Sequence, residues 1–344
     1  MPMPVPTPTD MPPLATLAKW VDRFAEARIV VWGDVVADRF LYGSTTRISR
    51  EAPALVVRRE SEETRPGGAG NAMMNTAALG AQVTAVGYLG DDGCGRQLRA
   101  ALEDAGIDTT HLVARTDSPT PVKTRVMAGG RHTVRQQILR IDADDPWPPA
   151  DGFGTRLDEG LATALEDADA LLLSDYDMGS VSATSIACRS TELLARGCRV
   201  VVDSRNALMQ YRGVSVITPN EDEVEHALGI FPGELDDQLD DAGRRLLAEL
   251  GCEAVLITRG SRGMALFEAD GGGTLLPIHG TEEIADVTGA GDAVIAAFTT
   301  ARVVGASTLE AARIANVTAG LAVMKRGTAT VPASELRAAL TGPA

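Results

Sequence analysis

The sequence has few aromatic residues, few cysteines and no basic cluster longer than a few residues. Aromatic residues make up 4% of the chain, and 32 lysines and arginines face 47 aspartates and glutamates, for a formal net charge of −15. This charge argues against nucleic acid or an anionic membrane as the main partner, because both need a cationic surface. An acidic chain that handles phosphate is expected to use backbone amides, a divalent cation and a few placed arginines or lysines.

Disulfides, zinc and a membrane span also lack support in the sequence. The four cysteines form no CxxC pair, and the four histidines show no ligand spacing. No apolar run is long enough for a membrane span, and residues 1–13 contain six prolines rather than a charged start and an apolar signal core. We therefore expect a cytoplasmic protein with a disordered proline-rich tail over residues 1–13.

Short apolar strands alternate with helix-period segments, which predicts an α/β fold with a mostly parallel central sheet. The strand candidates are Ile29–Gly33, Val83–Tyr88, Ala170–Ser174, Arg199–Asp203, Val214–Thr218 and Ala254–Thr258. The helix candidates are Leu14–Ala27, Asn71–Leu79, Gly93–Ala105, Thr155–Leu165, Val181–Ala195, Glu221–Leu228, Leu235–Leu250 and Ala311–Val323. Ligands of such sheets bind beyond the carboxyl ends of the strands. The polar residues at those ends are Asp34, Asp38, Asp175, Asp203, Asn220 and Arg259.

Two stretches break this alternation. Ala54–Arg59, and Val122–Met127 with Thr133–Ile141, alternate as strands do, and no helix separates the last pair. They predict a small antiparallel sheet, with lid strands within residues 43–66 and 120–142, that is either a lid over the site or a dimer surface. Residues 143–151, rich in aspartate and proline, predict a loop back to the main domain.

A glycine-rich segment near the C-terminus carries the most informative pattern. Asp286-Val287-Thr288-Gly289-Ala290-Gly291-Asp292 runs into the apolar stretch Ala293–Phe298, which predicts a buried helix. Unpaired N–H groups at a helix start attract anions, and small residues let a phosphate approach them closely. Asp292 would then lie within reach of the attacking group. Alone, the segment is equally compatible with Thr288 as a helix cap and Asp292 as a complement to the helix dipole.

A second glycine-rich turn, Gly67-Gly68-Ala69-Gly70-Asn71, precedes a helix of small residues. It is either a capped turn or a close approach of the backbone to a polyhydroxylated ligand, whose hydroxyls Asn71 would bind. Asp34 and Asp38 are either a cap and a surface charge or acceptors for sugar hydroxyls. The chain has no GxxxxGK[ST] motif and no GxGxxG after the first strand, which argues against a P-loop NTPase or a Rossmann enzyme.

In order and spacing, four segments resemble the ribokinase-like (PfkB-type) carbohydrate kinases, from about Ile29 to Val331. Gly67-Gly68-x-x-Asn71 and the Asp286–Asp292 segment resemble the two signatures of that family. Thr218-Pro219-Asn220 with Glu223 resembles its N-x-x-E element, and Thr258-Arg259-Gly260-x-x-Gly263 resembles its phosphate-facing turn. The resemblance implies a ribokinase-like three-layer fold, with one kinase domain over residues 14–340, and an ATP-dependent sugar kinase.

The resemblance also implies a role for each matching residue. Asp292 would be the catalytic base, and the amides of Gly289, Ala290 and Gly291 would hold the transferring phosphoryl group. At a helix N-terminus Asp292 should be a weak base, because the dipole favours its ionised form. The residues implied in nucleotide binding are Asn220, Glu223, Thr258, Arg259, Gly260, Gly263, Thr288 and Asn316.

Metal and monovalent ions follow from the same resemblance. Asn220 and Glu223 would organise Mg²⁺, partly through water, and a potassium site near Asp286 is a habit of the family. Asn316 would lie near the adenine, with an ordinary polar position on a helix as its alternative interpretation.

Within the family, Gly33–Gly43, Arg47–Pro53 and Arg65–Ala69 resemble the D-glycero-β-D-manno-heptose 7-phosphate kinases. Gln136–Asp142 and Ser174-Asp175-Tyr176 extend the match. The resemblance implies phosphorylation of the anomeric (C1) hydroxyl of a sugar that already carries a distant phosphate, on the route to nucleotide-activated (ADP-) heptose. The predicted substrate-binding residues are Asp34, Asp38, Gly67, Gly68, Asn71, Arg47, Lys123, Arg125, Arg140 and Asp175.

A phosphate on the acceptor requires cations, and the lid segments carry several. Lys123 and Arg125 share one strand face, and Arg47, Arg50 and Arg140 lie on or near the same pieces. Any one of them is explained as well by an exposed lid charge, but we expect at least two of the five to bind phosphate. The lid strands also predict a homodimer in which two small sheets cover each other.

Two positions depart from the heptose kinases, and several acceptors stay open. Met178 stands where those kinases usually have a lysine, and Asp203-Ser204-Arg205 stands in place of Asp-Pro-Lys. The related bifunctional enzymes carry a nucleotidyltransferase domain after the kinase, so we expect a chain that ends at Ala344 only to phosphorylate. The alternatives are a PfkB-type kinase for another sugar, sugar phosphate or nucleoside, and a non-catalytic sugar-binding relative.

Overall fold

The computed structural model describes residues 11–129, 135–147, 152–233, 236–280, 286–325 and 327–342. Several sequence predictions lie wholly or partly outside the described residues. They are the tail up to residue 10, residues 130–132 between two lid strands, the start of the predicted strand at residues 133–134, and the last part of the 143–151 loop.

The strands form two sheets. Their bounds are β1 Arg28–Gly33, β2 Val35–Ile48, β3 Leu55–Gly68, β4 Gln82–Gly90, β5 Asp108–Arg115, β6 Val122–Gly129, β7 Gln136–Ala143, β8 Ala170–Asp175, β9 Arg199–Ser204, β10 Val216–Ile217, β11 Ala254–Thr258, β12 Met264–Glu268 and β13 Gly273–Leu276. Among the described residues, the central sheet has nine strands in the order β13-β12-β11-β10-β9-β8-β1-β4-β5. The seven strands β11, β10, β9, β8, β1, β4 and β5 pair in parallel with their neighbours, and β12 and β13 add an antiparallel edge. The predicted mostly parallel sheet is confirmed.

Helices cover both faces of the central sheet. Their bounds are α1 Leu14–Val21, α2 Ala69–Ala78, α3 Gly93–Asp104, α4 Phe153–Ala164, α5 Ala183–Ala195, α6 Glu221–Leu228, α7 Asp236–Leu250, α8 Ala290–Val303, α9 Thr308–Val323 and α10 Ala333–Thr341. None of these helices, within the part of the chain that the structure describes, is long and apolar enough to cross a membrane.

Strand β1 explains why the core has two halves. Successive side chains of a strand point to opposite faces of the sheet. Ile29 and Val31 pack into the apolar cluster that includes helices α2, α8 and α9, whereas Val30 and Trp32 pack into the cluster with α4, α5 and α7. All four are at most 1% exposed. The continuous apolar run of β1 is therefore what a strand between two helical layers requires.

The small sheet, here called the lid, has the order β3-β2-β6-β7. The predicted small antiparallel sheet is present: β2 pairs with β3 and β6 with β7 in antiparallel fashion, whereas β2 pairs with β6 in parallel. The sequence analysis placed Asp34 and Asp38 at the end of the first strand; in the structure β2 begins at Val35 and runs on for 14 residues, so Asp38 lies within it. Its first residues, Val35, Val36 and Ala37, are apolar and buried, so the lid begins within the core.

Candidate active site

Asp292 lies in the first turn of α8 and is 4% exposed. Asn71 Nδ2 donates to its Oδ2 at 2.7 Å, and the Tyr176 hydroxyl donates to its Oδ1 at 3.2 Å. Asn71 belongs to α2 and Tyr176 follows β8, so three elements distant in sequence meet at one carboxylate. Both donors are neutral, and they orient the carboxylate without placing a charge beside it.

Burial raises the pKa of Asp292 to about 7; the bonds from Asn71 and Tyr176 lower it, and the Asp38 carboxylate adds to the rise. The prediction that Asp292 is a weak base is therefore wrong. Removal from water disfavours the ionised form more than the helix N-terminus favours it. A carboxylate with a pKa near 7 exchanges its proton at neutral pH, as a general base must.

Gly289 makes the contact between Asn71 and Asp292 possible. It is the N-cap of α8 and adopts the left-handed conformation, with φ 79° and ψ 8°. A Cβ at this position would overlap Nδ2 of Asn71. Two residues on, a Cβ at Gly291 would meet open space. Glycine is thus required at the first position by contact and conformation, and the second leaves room beside the helix start.

The amides at the start of α8 are only partly available. Because the N-cap is glycine, no side chain caps the helix, and the N–H groups of the first turn have no acceptor within it. The Ala290 N–H, however, donates to the Val287 carbonyl at 3.2 Å. Thr288 is not the cap: its hydroxyl and N–H donate to Asp286 Oδ1 at 2.7 and 3.0 Å. Asp286 thereby fixes the loop before the helix.

Asp38 of β2 is 4% exposed and forms an ion pair with Arg125 of β6. Burial raises the pKa of Asp38, and Arg125 opposes the rise. A Cβ on Gly67 would lie 2.6 Å from Asp38 Cγ, so glycine in the first signature makes room for this carboxylate. Gly68 has φ 55°, a conformation that favours glycine.

Asp34 differs from Asp38 in what it contacts. It is fully buried, and its carboxylate accepts hydrogen bonds from the N–H groups of Tyr176, Met178 and Ser180 at 2.9, 3.1 and 2.9 Å. Its oxygens face the backbone of the loop after β8 rather than a cavity. The structure therefore places Asp34 as the support of that loop, not beside a sugar hydroxyl as the sequence suggested.

A carboxylate-rich cavity of about 220 Å³ opens in front of Asp292. We call it the carboxylate cavity. It is lined by Asp175, Tyr176, Asp203, Arg205, Thr218, Asn220, Glu223, Thr258, Gly289, Gly291 and Asp292. Burial and the nearby Glu223 raise the pKa of Asp203 well above its usual range, and burial raises the pKa of Glu223 to about 7. Arg205 is the cation in this lining. The cavity thus suits a ligand that brings positive charge with it.

Asn220 and Glu223 form a capping box at the start of α6. The Glu223 N–H donates to Asn220 Oδ1 at 2.9 Å, and the Asn220 N–H donates to Glu223 Oε2 at 2.8 Å. Across the described residues, no group of three or more His, Cys, Asp or Glu is arranged to hold a metal ion.

An apolar cavity of about 190 Å³ adjoins the carboxylate cavity and shares Thr258 and Gly291 with it. We call it the apolar cavity. It is lined by Thr258, Gly260, Ser261, Gly263, Met264, Ile278, His279, Val287, Ala290, Gly291, Val294, Asn316, Ala319, Gly320 and Val323. Asn316 lies on α9 and donates to the Pro277 carbonyl at 2.6 Å. Gly260, Gly263 and Asn316 thus line one cavity.

Arg259 does not join them. It is 7% exposed; its Nε lies 3.1 Å from Glu221 Oε1, and its Nη2 donates to the Gly233 carbonyl at 3.1 Å. The side chain ties the turn after β11 to α6, and it lines neither the carboxylate nor the apolar cavity. The structure therefore gives Arg259 a structural position rather than the predicted phosphate contact.

The predicted phosphate-binding cations of the lid separate into two groups. Lys123 is paired with Asp144 and lies 3.8 Å from Asp142, and Arg140 pairs with Asp142 at 2.7 Å. Arg47 is exposed near the far end of β2. Arg125 instead lines a cavity of about 420 Å³ between the lid and the loop before α8. Its lining, here called the lid cavity, is Phe40, Tyr42, Arg125, Met127, Arg135, Gln136, Gln137, Asp286, Thr288 and Gly327.

The two departures from the heptose kinases differ in position. Met178 is 4% exposed and belongs to the core cluster with Trp147, outside the lining of the three cavities. Arg205 lines the carboxylate cavity. Asp175, also in that lining, accepts hydrogen bonds from the hydroxyls of Ser204 and Tyr211 at 2.8 and 2.6 Å.

Sequence reasoning missed two residues at these cavities. Tyr176 was noted only as part of a resemblance, and no periodicity or spacing marks a tyrosine that reaches a carboxylate 116 positions away. Arg135 lies within the predicted lid strand Thr133–Ile141 but has no motif of its own. Its position in the lid cavity follows from the pairing of β6 with β7.

The pfkB family carbohydrate kinase model matches residues 26–335 of this sequence. The chain belongs to the pfkB family of carbohydrate kinases. It is 41% identical to the bifunctional protein HldE of Chromohalobacter salexigens over 318 residues, and 39% identical to that of Coxiella burnetii over 322 residues. These alignments cover 92% and 93% of the chain but only 64% and 65% of the relatives, so the chain spans less than two thirds of their length.

Solved structures agree on the fold. Ribokinase of Arabidopsis thaliana, complexed with ribose and ATP, superposes with a TM-score of 0.72 at 22% identity, over 92% of this chain and 99% of that one. Phosphofructokinase-2 of Escherichia coli, in complex with fructose-6-phosphate, has a TM-score of 0.73 at 18% identity, over 91% and 98%. The predicted membership of a carbohydrate kinase family and the ribokinase-like fold are confirmed.

Proposed function

We propose that this pfkB-family kinase transfers the γ-phosphoryl group of ATP to a hydroxyl of a phosphorylated sugar, with Asp292 as the base. One observation carries the proposal: a buried carboxylate, oriented by Asn71 and Tyr176, lies at the uncapped start of α8. Residues 286–292 line all three cavities, so ligands in each would converge on this loop. Phosphoryl transfer depends on such positioning and charge stabilisation.

The nucleotide is proposed to span two adjoining cavities. Val294, Ala319 and Val323 offer the apolar cavity an aliphatic surface for an adenine ring, with Asn316 as a polar group at its side. The phosphates would extend past Thr258 and Gly291, which line both cavities, toward the start of α8. The Gly291 amide would meet the transferring group there.

Magnesium is the cation that this site is proposed to take. The oxygen donors of Asn220 and Glu223 suit a hard divalent ion, which commonly keeps several waters and binds one or two carboxylates together with phosphates. When bound, the ion would offset the charge between the phosphates and the Asp203 side chain. We also propose potassium near the Asp286 loop, since one solved phosphofructokinase-2 holds potassium; turnover in potassium chloride against sodium chloride tests it.

The favoured acceptor is the anomeric (C1) hydroxyl of D-glycero-D-manno-heptose 7-phosphate. Asp38 and Asn71 would bind sugar hydroxyls beside Asp292, and the lid cavity would receive the distant phosphate. Arg125 and Arg135 are the arginines of that cavity. Arg125 also pairs with Asp38, and Arg135 with Glu60. Lys123 and Arg140 lie outside the lining of that cavity and pair with Asp144 and Asp142, so they would stabilise the lid strands. The similarity to HldE proteins supports the heptose, and another sugar phosphate would use the same cations.

The lid is proposed to form a homodimer. Its strands and their ends carry exposed apolar side chains, namely Ile48, Leu55, Ile138, Leu139 and Ile141. Exposed apolar surface on a small sheet marks an interaction site, and a second lid has the complementary surface.

Replacement of Asp292 by Asn tests the catalytic assignment. The variant should lose orders of magnitude in turnover while its affinity for the sugar persists, because the amide cannot take the proton of the acceptor hydroxyl. Asp104→Asn, an exposed aspartate on α3, is the matched control. Turnover by Asp292→Asn at the rate of the control would refute the assignment.

A substrate panel tests the acceptor. ATP is supplied with heptose 7-phosphate, hexose phosphates, free sugars and nucleosides, ADP release is followed, and the new phosphate is located by NMR. The proposal expects a product phosphorylated at C1 of the heptose. Turnover with unphosphorylated sugars alone would contradict it. Arg125→Met should raise KM more for phosphorylated acceptors than for free sugars, because both lose the support of Asp38 and only the former lose a phosphate contact.

A further inference from the structure

We propose that Tyr176 is a positioning residue for the catalytic base: its hydroxyl fixes the orientation of the Asp292 carboxylate, and Asp34 holds the loop that presents it. The inference rests on the proposed function, in which Asp292 takes the proton of the acceptor hydroxyl. It assigns a task to a tyrosine that the two family signatures leave out, and a new one to Asp34.

The contacts define what Tyr176 does. It donates to Oδ1 of Asp292 at 3.2 Å, and Asn71 donates to Oδ2 at 2.7 Å. Each carboxylate oxygen carries two lone pairs, so one donor on each oxygen fixes the plane of the group and still leaves an acceptor position free. An incoming hydroxyl needs such a position. Tyr176 also lines the carboxylate cavity, so its ring borders the space in front of the base.

The loop that carries Tyr176 is anchored by the Asp34 carboxylate. Asp34, at the end of β1 and fully buried, accepts hydrogen bonds from alternate N–H groups of this loop, at Tyr176, Met178 and Ser180. A carboxylate with three amide donors is a rigid anchor, because loss of any bond leaves a buried polar group without a partner. The position of the tyrosine hydroxyl is therefore set by the central sheet.

Backbone conformation supports a functional reason for this loop. Asp177, next to Tyr176, has φ 61°, and no other non-glycine residue among those described has a positive φ. L-residues seldom adopt this conformation, and such outliers collect at sites where function requires them. The Asp177 N–H bonds to Asp175 Oδ1 at 2.9 Å, and its carboxylate accepts from Asn206 at 3.1 Å. The turn after β8 is thus held at both of its acidic residues.

The surroundings predict the effect of losing the hydroxyl. The charged and titratable groups that act on Asp292 are Asp38, itself paired with Arg125, Asp203 across the carboxylate cavity, and Tyr176. Burial raises the pKa of Tyr176 well above its usual value, so the phenol stays protonated and can only donate to the carboxylate. A hydrogen bond donated to a carboxylate favours its ionised form. Without it, two neighbouring carboxylates oppose ionisation and only Asn71 supports it.

The test compares Tyr176→Phe with the wild-type protein in the pH dependence of kcat/KM, between pH 5.5 and 9. The acid limb should move upward by about one pH unit, so activity at pH 6 falls about tenfold while activity at pH 9 changes little. Tyr211→Phe is the matched control, because it removes a hydroxyl that donates to another buried carboxylate, Asp175, at 2.6 Å. The control should leave the position of the acid limb unchanged.

A second readout needs no turnover. Carboxyl carbon NMR of the ligand-free protein follows the titration of Asp292, with Asp292→Asn to identify the resonance. Tyr176→Phe should move this titration in the same direction as the acid limb. Equal loss of activity at every pH, or an unshifted titration, would overturn the role of Tyr176. Absence of turnover in the wild-type protein would instead refute the proposed function and leave the NMR result to judge the tyrosine.

Discussion

Replacement of Gly289 by alanine probes the whole arrangement around the base. The residue is the left-handed N-cap of α8, and its missing Cβ leaves room for Nδ2 of Asn71. Alanine would strain the backbone and displace Asn71 at once. Because Asn71 holds one oxygen of Asp292, the variant should lower both stability and turnover.

The magnitude follows from two separate costs. A non-glycine residue in the left-handed conformation costs about 1–2 kcal/mol. Displacement of Asn71 removes a hydrogen bond to a buried charged group, which contributes about 1.5–3 kcal/mol. The free energy of unfolding should fall by about 2.5–5 kcal/mol. With an unfolding entropy of about 2.1 cal/mol/K per residue, a chain of 344 residues should melt about 3–7 °C lower.

Thermal unfolding at pH 8, where Asp292 is ionised, is the assay, with Gly291→Ala as the matched control. A Cβ at Gly291 meets open space, so this variant should melt close to the wild-type temperature. In the proposed site, however, the same Cβ stands where the phosphate approaches the helix start. Gly291→Ala should therefore raise KM for ATP without loss of stability.

A melting temperature of Gly289→Ala within about 1 °C of that of the wild-type protein would refute the role of Gly289 in positioning Asn71. A lower melting temperature for Gly291→Ala than for Gly289→Ala would refute it as well. Either result would show that Asn71 and the loop move apart at little cost, so that the glycine does not position the amide.

Three further predictions concern charge, structure and assembly. The pKa of Asp292 is raised to about 7, so between about pH 4 and pH 7 the folded protein holds a proton that the unfolded chain has lost. The free energy of unfolding should therefore fall as the pH rises through this range. Asp292→Asn should flatten the fall, as measured by melting curves at pH 5–8. Arg259→Met should lower the free energy of unfolding by about 3 kcal/mol, measured with denaturant, and leave KM for ATP unchanged, since Arg259 pairs with Glu221 and donates to the Gly233 carbonyl. Leu139→Asp with Ile141→Asp should give a monomer by light scattering; a wild-type monomer at micromolar concentration would contradict the lid dimer.

Local patterns identified most of the fold. The apolar run of β1 and the capping box of Asn220 and Glu223 depend on neighbours in the chain, so periodicity and residue type suffice to predict them. Strand β5 and the antiparallel edge strands β12 and β13 were missed, and so was the first half of β2. Polar residues interrupt the first half of β2, and its pairing with β6 is a long-range contact that no local pattern records.

The candidate site could also be predicted only in part from local sequence. Short motifs located Asp292, Gly289 and Asn71, because anion binding at a helix start demands small residues at fixed spacing. Motifs could not decide between Asp34 and Asp38, which share a residue type and both follow the first apolar strand in the sequence. Their carboxylates differ in partners: Asp34 accepts from the backbone of a loop, whereas Asp38 pairs with Arg125 beside the lid.

The sequence by itself determined the family, the alternation of strands and helices, and the two glycine-rich segments around the base, since all of these reside in residue type and spacing. Only the tertiary structure decided how the charges behave. Burial depends on every element packed around a group, and it raises the pKa of Asp292 where the helix dipole alone would lower it. It also decided which cations meet a cavity: Arg125 lines the lid cavity and Arg205 the carboxylate cavity, whereas Arg259 lies against Glu221 and the Gly233 carbonyl, because long-range packing sets what each strand end faces.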